Sequence, residues 1–111
     1  MSLNYHNKKF KILGEEEKEG TTFQYFQEGN ILWGEYKGGS VLKGSLIAKI
    51  DDNTVLQMHY QHLTTKEEFK LGKCISTPTL LEDGRIQIHE IYESVGTETV
   101  NKGEITLIEI K

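Results

Sequence analysis

Four histidines, one cysteine and the glutamates Glu35 and Glu90 are the residues of this chain that first suggest chemistry. His59 and His62 have the look of a metal pair in text. On an extended strand, however, side chains three apart point to opposite faces. No Cys/His cluster stands at zinc-ligand spacing, so no metal is expected. Cys74 would be a nucleophile with His89 or His59 as its base. A lone cysteine more commonly packs as a small hydrophobe, and Cys74 and His89 read as outward-facing on poorly matched rows. Glu35 and Glu90 would make an acid/base carboxylate pair of the glycosidase kind, but they fall at opposite ends of the fold. Gly34, Gly44 and Gly72 sit inside strands with no helix after them, so the phosphate-cradle geometry is missing. No catalytic residue and no cofactor emerges from these patterns.

The elements that must position these residues are strands. One alanine stands against eleven isoleucines, ten threonines and five tyrosines. Alanine is the best helix former, while β-branched and aromatic side chains fit a pleated sheet. Turn signals recur at Glu28-Gly29-Asn30, Gly38-Gly39, Asp51-Asp52-Asn53 and Asp83-Gly84. The runs between them predict strands at 8–13, 21–28, 31–37, 40–50, 55–63, 69–79, 85–95 and 103–110. Two stretches, 14–20 and 64–68, read as polar loops. The whole is a single all-β domain over 1–111, an antiparallel up-and-down β-barrel of about eight strands. Hydrophobic content of 36% is lean and suits one buried layer inside a closed sheet.

Register follows hairpin by hairpin, because a one-residue slip turns every side chain over. Pairing Ile50 with Leu56 sets Ala48 against Met58, Leu46 against Tyr60 and Gly44 against His62. A Gly38-Gly39 turn pairs Lys37 with Ser40 and places Trp33 over Gly44, with Glu35 inward near the rim. The hairpin at Gly29 leaves two solutions: Tyr25 and Gln27 inside, or Gln24 and Phe26. Pairing His62 with Phe69 puts Tyr60 opposite Leu71 and Met58 opposite Lys73. An Asp83-Gly84 turn pairs Glu82 with Arg85, which brings Thr77 to Glu90 and Ile75 to Tyr92. The expected inner face therefore includes Trp33, Glu35, Tyr60, His62, Lys73, Glu90 and Tyr92. Buried ionisable groups are costly unless paired or wetted. Either the barrel holds a polar cavity, with Glu90 near Lys73 as an internal ion pair, or one of these registers is wrong, for instance through a bulge near Pro78.

Net charge is −4, with twelve lysines and only Arg85 as arginine. With no basic cluster, nucleic acid and anionic membrane surfaces are not expected partners. One cysteine gives no disulfide framework and fits a reducing cytoplasm. No apolar run approaches the ~18 residues of a spanning helix. The outer face of the middle strands reads as Ile47, His59, Cys74, Ser76, His89 and Ile91, flanked by Gln57, Gln61 and Gln87. It is poor in charge, which predicts a homodimer through that face.

Several motifs carry a family likeness. Gln27-Glu28-Gly29-Asn30-Ile31-Leu32-Trp33, Tyr36-Lys37-Gly38-Gly39, Met58-His59-Tyr60-Gln61-His62 and Gly72-Lys73-Cys74-Ile75-Ser76-Thr77-Pro78 resemble a family of small uncharacterised bacterial proteins. The likeness continues through Gly84-Arg85-Ile86 and His89-Glu90, over roughly residues 5 to 95. It implies an avidin-like or calycin-like barrel, and members often bear the inherited label N-acetylglutamate synthase. The resemblance brings no catalytic residues with it. Such acetyltransferases bind pyrophosphate with an Arg- or Gln-led glycine turn at a helix start, whereas here Arg85 is followed by Ile86-Gln87-Ile88. The avidin motifs that touch biotin are not matched either.

These readings lead to a small-molecule-binding module without catalysis, its ligand in the barrel mouth near Trp33, Tyr60 and His62. An acetyltransferase of the labelled kind and a purely structural or interaction homodimer stand as the alternatives.

Overall fold

The structure is a computed structural model that describes residues 3–16, 18–95 and 102–110. Eight strands follow one another in the chain: β1 (Lys8–Ile12), β2 (Thr22–Glu28), β3 (Ile31–Gly38), β4 (Val41–Ile50), β5 (Leu56–Thr64), β6 (Phe69–Leu80), β7 (Ile86–Val95) and β8 (Lys102–Glu109). Each pairs antiparallel with the next, and β1 meets β8 to close the barrel. The expected all-β, eight-strand meander is what the chain forms.

Turn chemistry sets the hairpins. Gly29 (φ 60°) and Gly39 (φ 61°) each take the first central position of a two-residue turn, a left-handed conformation that costs glycine little. β4 and β5 pair as expected, with Ile50 against Leu56, Leu46 against Tyr60 and Gly44 against His62.

Three other registers differ from the sequence reading, each for a local reason. β4 carries a bulge at Leu42 and Lys43, which are successive exposed residues between buried Val41 and Gly44. The extra residue reverses the parity of β3. Tyr36, not Trp33, lies opposite Gly44, and Trp33 and Glu35 face outward. β6 is joined on both sides by three-residue loops: Thr64 N–H donates to Glu68 C=O, and Leu81 N–H to Arg85 C=O. The third loop residues, Glu67 (φ 62°) and Gly84 (φ 89°), have left-handed backbones. β6 is thereby turned over: Gly72, Cys74 and Ser76 face in, and Lys73 faces out beside Glu93. Pro78 makes no bulge, since the β6–β7 ladder runs unbroken through it. β5 ends at the Leu56–Ser76 pair, so Pro78 lies where its missing N–H disturbs no β5 ladder.

The two ends of the barrel are filled differently. At the end holding the turns 29–30, 51–55 and 81–85, Tyr5, Phe10, Tyr25, Leu32, Leu56, Ile88 and Leu107 are fully buried and pack solid. Tyr5 plugs this end. Its ring is tilted against Tyr25 at 6.4 Å, its hydroxyl donates to Thr54 C=O at 3.0 Å, and its N–H donates to Gln27 Oε1 at 2.9 Å. The opposite half of the lumen is not filled.

Candidate functional site

The unfilled half is a recess of about 330 Å³ toward the strand ends that hold Ile12, Thr21, Val41 and Ser94. Its origin is a repeated cross-strand pairing. Four of the five tyrosines face a glycine on the next strand: Tyr25–Gly34, Tyr36–Gly44, Tyr60–Gly72 and Tyr92–Gly103. In the last three, the hydroxyl end of the ring occupies the place of the absent Cβ. At Gly44 a Cβ would stand 2.5 to 2.7 Å from three ring atoms of Tyr36. An aromatic ring covering a glycine is a recurrent sheet device. Here it lays three rings along the wall instead of across the lumen, and space is left inside.

The wall is aromatic. Phe23 stacks on Tyr36 at 5.2 Å, Tyr36 meets His62 edge-on at 5.4 Å, and Tyr60 runs parallel to His62 at 6.3 Å. Tyr36 Oη and His62 Nδ1 are hydrogen-bonded at 2.8 Å. In the tautomer in which Nδ1 accepts, Nε2 carries the ring proton. Burial, with Lys70 across the strand pair, pushes the His62 pKa below its ordinary value and favours the neutral imidazole. Burial also raises the Tyr36 and Tyr60 hydroxyls, so both stay protonated.

The floor carries the buried acid. Glu90 is 5% exposed and lines the recess. Ser76, its direct cross-strand partner, donates from Oγ to Glu90 Oε2 at 2.7 Å. Burial raises the Glu90 pKa, against the opposing effect of the nearby Ser76 and Tyr25 hydroxyls. The buried Tyr25 hydroxyl is directed at the Glu90 carboxyl, an interaction that falls short of strict hydrogen-bond geometry yet shifts the titration of both groups. Cys74 also lines the recess, with Sγ 3.7 Å from Ser76 Oγ. Burial, then the adjacent Glu90, pushes its thiol up to about 12. Little of such a thiol is thiolate near neutral pH, and its side chain packs in the core.

Of the seven residues expected inside, the structure brings Tyr60, His62, Glu90 and Tyr92 together around the recess. Trp33, Glu35 and Lys73 are corrected to the outer wall for the register reasons above. The expected Glu90–Lys73 pair is replaced by Glu90–Ser76. Cys74 and Ser76 move the other way, from the expected outer face to the interior. Tyr36 and Phe23 were missed as lining residues, and of the two solutions left open at Gly29 the structure takes the one with Tyr25 inside. The tyrosine-then-glycine recurrence on successive strands was a signal able to find the tyrosines. Among the described residues no group of His, Cys, Asp and Glu could hold a metal ion. His59 and His89 stand on the outer wall, where His89 Nε2 lies 3.8 Å from Glu104.

Comparison with the curated proteins and with the solved structures finds no match. The family profile described as avidin-like protein matches residues 3–110, nearly the whole chain. The closed eight-strand antiparallel meander is consistent with that match, and the chain belongs to the avidin-like protein family.

Proposed function

We propose that this chain is a small-molecule-binding module whose ligand occupies the recess between the Tyr36–His62 wall and the Glu90 floor. The half-filled lumen carries this reading. A mostly apolar, aromatic-lined concavity with a few placed polar groups is the usual form of a ligand site. Membership of the avidin-like family agrees with it. A purely structural role would suit a barrel packed solid throughout, and here the packing fills one half only. The labelled acetyltransferase activity draws no support from the thiol held near 12.

Native mass spectrometry of protein purified from its own host tests the reading. Retention of a small molecule by the parent, lost in a Leu46→Trp variant that fills the lumen, is the expected result. Release of free thiol from acetyl-CoA and glutamate, scaling with protein and abolished by Glu90→Gln, would favour the enzyme instead.

Two further elements belong to the same proposal. The lone, buried Cys74 suits a reducing cytoplasm. Two copies pair through the outer face of β3 to β7. There Trp33 is 39% exposed, stacks on Phe26 at 6.1 Å, and stands directly across from exposed Ile47. Ile75 and Ile91, also paired and exposed, extend the patch.

A further inference from the structure

The floor of the recess has an unbalanced polarity. Glu90 is almost wholly buried, and none of its neighbours there is a cation: Ser76, Cys74 and Tyr25 are neutral groups. Among the described residues no lysine, arginine or histidine forms an ion pair with it. Ser76 satisfies one carboxyl oxygen. The Tyr25 hydroxyl, fully buried, interacts with this same carboxyl without reaching strict hydrogen-bond geometry and brings it no charge. The carboxyl at this floor thus lacks the counter-charge that buried acids normally have. Above it stand the rings of Tyr36, Tyr60, Tyr92 and Phe23.

We infer that the recess is built for an organic ammonium, a primary or methylated amine on a small apolar body, whose charged head seats against Glu90. The inference rests on the small-molecule reading above and names the ligand class. An ammonium supplies what the floor lacks. Its positive charge pairs with the carboxylate, and an N–H can donate to the carboxyl oxygen that Ser76 leaves free. Aromatic rings attract a desolvated cation through their quadrupoles, and methylated amines are commonly bound in such cages. An anionic ligand cannot neutralise this carboxyl and is repelled by its ionised form. A neutral amide can bond to the floor but leaves the carboxyl without a counter-charge.

The one lysine at the recess, Lys70, stands on the exposed rim across from His62. Water screens it there, so its repulsion of an incoming cation is weak beside the pairing at the floor. His62 is held toward its neutral form and adds no positive charge to the wall.

Isothermal titration calorimetry on the full chain near pH 7 tests this with three probes of like shape: 2-phenylethylamine, phenylacetamide and phenylacetate. The amine is expected to bind at least about tenfold more tightly than either other probe, as the loss of a buried charge partner would dictate. Glu90→Gln keeps the shape and the bond to Ser76. It is expected to lower amine affinity by a similar factor and leave amide affinity unchanged. Equal or tighter binding of amide or acid, or amine binding untouched in Glu90→Gln, overturns the amine assignment while leaving the lumen a ligand site. Binding of none of the three also overturns it. Whether the lumen holds a ligand at all is read separately, by the native mass spectrum.

Discussion

The Tyr36 ring lies over Gly44, its direct partner across β3 and β4, and fills the place where any other residue would carry a Cβ. The relation is reciprocal: the glycine admits the ring, and the ring covers the glycine. Gly44→Ala sets a methyl group against Tyr36 and forces the ring toward the lumen. The expected cost is about 1–3 kcal/mol, as for other overpacked cores, with a narrowed recess. Urea unfolding measures the first, and loss of the host-derived ligand in native mass spectrometry the second. Gly72→Ala, against Tyr60, is expected to behave alike.

Glu90 gives stability a pH dependence of definite sign. Its folded pKa is raised above the ordinary 4.5, chiefly by burial, so the folded state holds its proton longer than the unfolded chain does. As pH rises above about 4.5 the unfolded state loses protons first, and stability falls until Glu90 itself has ionised in the fold. Ser76, Tyr25, Cys74 and, from the outer wall, His89 are the groups that modulate this. His62, with a lowered pKa, acts oppositely below about 6.5, where stability falls as pH drops. Subtracting the Glu90→Gln profile from the parent's isolates the first effect. The variant is expected to gain on the parent as pH climbs from 4.5. A difference that is flat with pH counts against a buried acid.

Cys74 is expected to resist alkylation. With its thiol near 12, on the order of one molecule in ten thousand carries a thiolate at pH 8. Iodoacetamide should label the native protein far more slowly than the urea-unfolded chain, as followed by intact mass. Rapid labelling of the native protein would show that the floor opens readily.

The Tyr5 plug predicts a third stability effect. Tyr5→Ala removes a fully buried aromatic ring, its tilted contact with Tyr25 and its hydroxyl bond to Thr54. The expected loss is about 3–5 kcal/mol in denaturant unfolding. Tyr5→Phe, which drops the hydroxyl bond alone, should lose about 1 kcal/mol.

For the outer face, light scattering at micromolar concentration is expected to give the mass of two chains. Ile47→Glu and Trp33→Lys, both on the exposed wall, should return one chain without altering the melting temperature appreciably. A parent of one-chain mass removes the dimer. A dimer that survives both substitutions lies elsewhere.

The strands were legible to within a residue at each end, because turn residues and β-branched runs announce themselves locally. Facing was harder. β3 alternates Leu32, Gly34 and Tyr36 with Ile31, Trp33 and Glu35, and both series hold large apolar side chains, so alternation alone does not choose. The choice was made by a bulge at Leu42–Lys43 that no residue type marks. Around β6 the loops are three residues long. Gly84 advertises the left-handed position there, but Glu67 in the same role does not, since side-chain-bearing residues seldom adopt it. The two slips on either side of β6 cancelled. That is why Glu90 and Tyr92 were placed inside correctly while Lys73 was not.

Closing the sheet leaves one join that no hairpin spans. β1 and β8 meet through three residue pairs among the described residues, whereas β6 and β7 share ten. The hairpins from β2 to β7 can zip from their own turns, but this join must bring β1 and β8 together across most of the sequence, the slow kind of contact. It is accordingly expected to form late and to open before the longer ladders. When it parts, the Lys8–Glu109 ion pair breaks and the vessel becomes a curled ribbon with two bare edges. Each edge then offers a terminal strand that matches the other edge of any identical ribbon. The short join that keeps the lumen private is also the hinge through which two copies could trade strands.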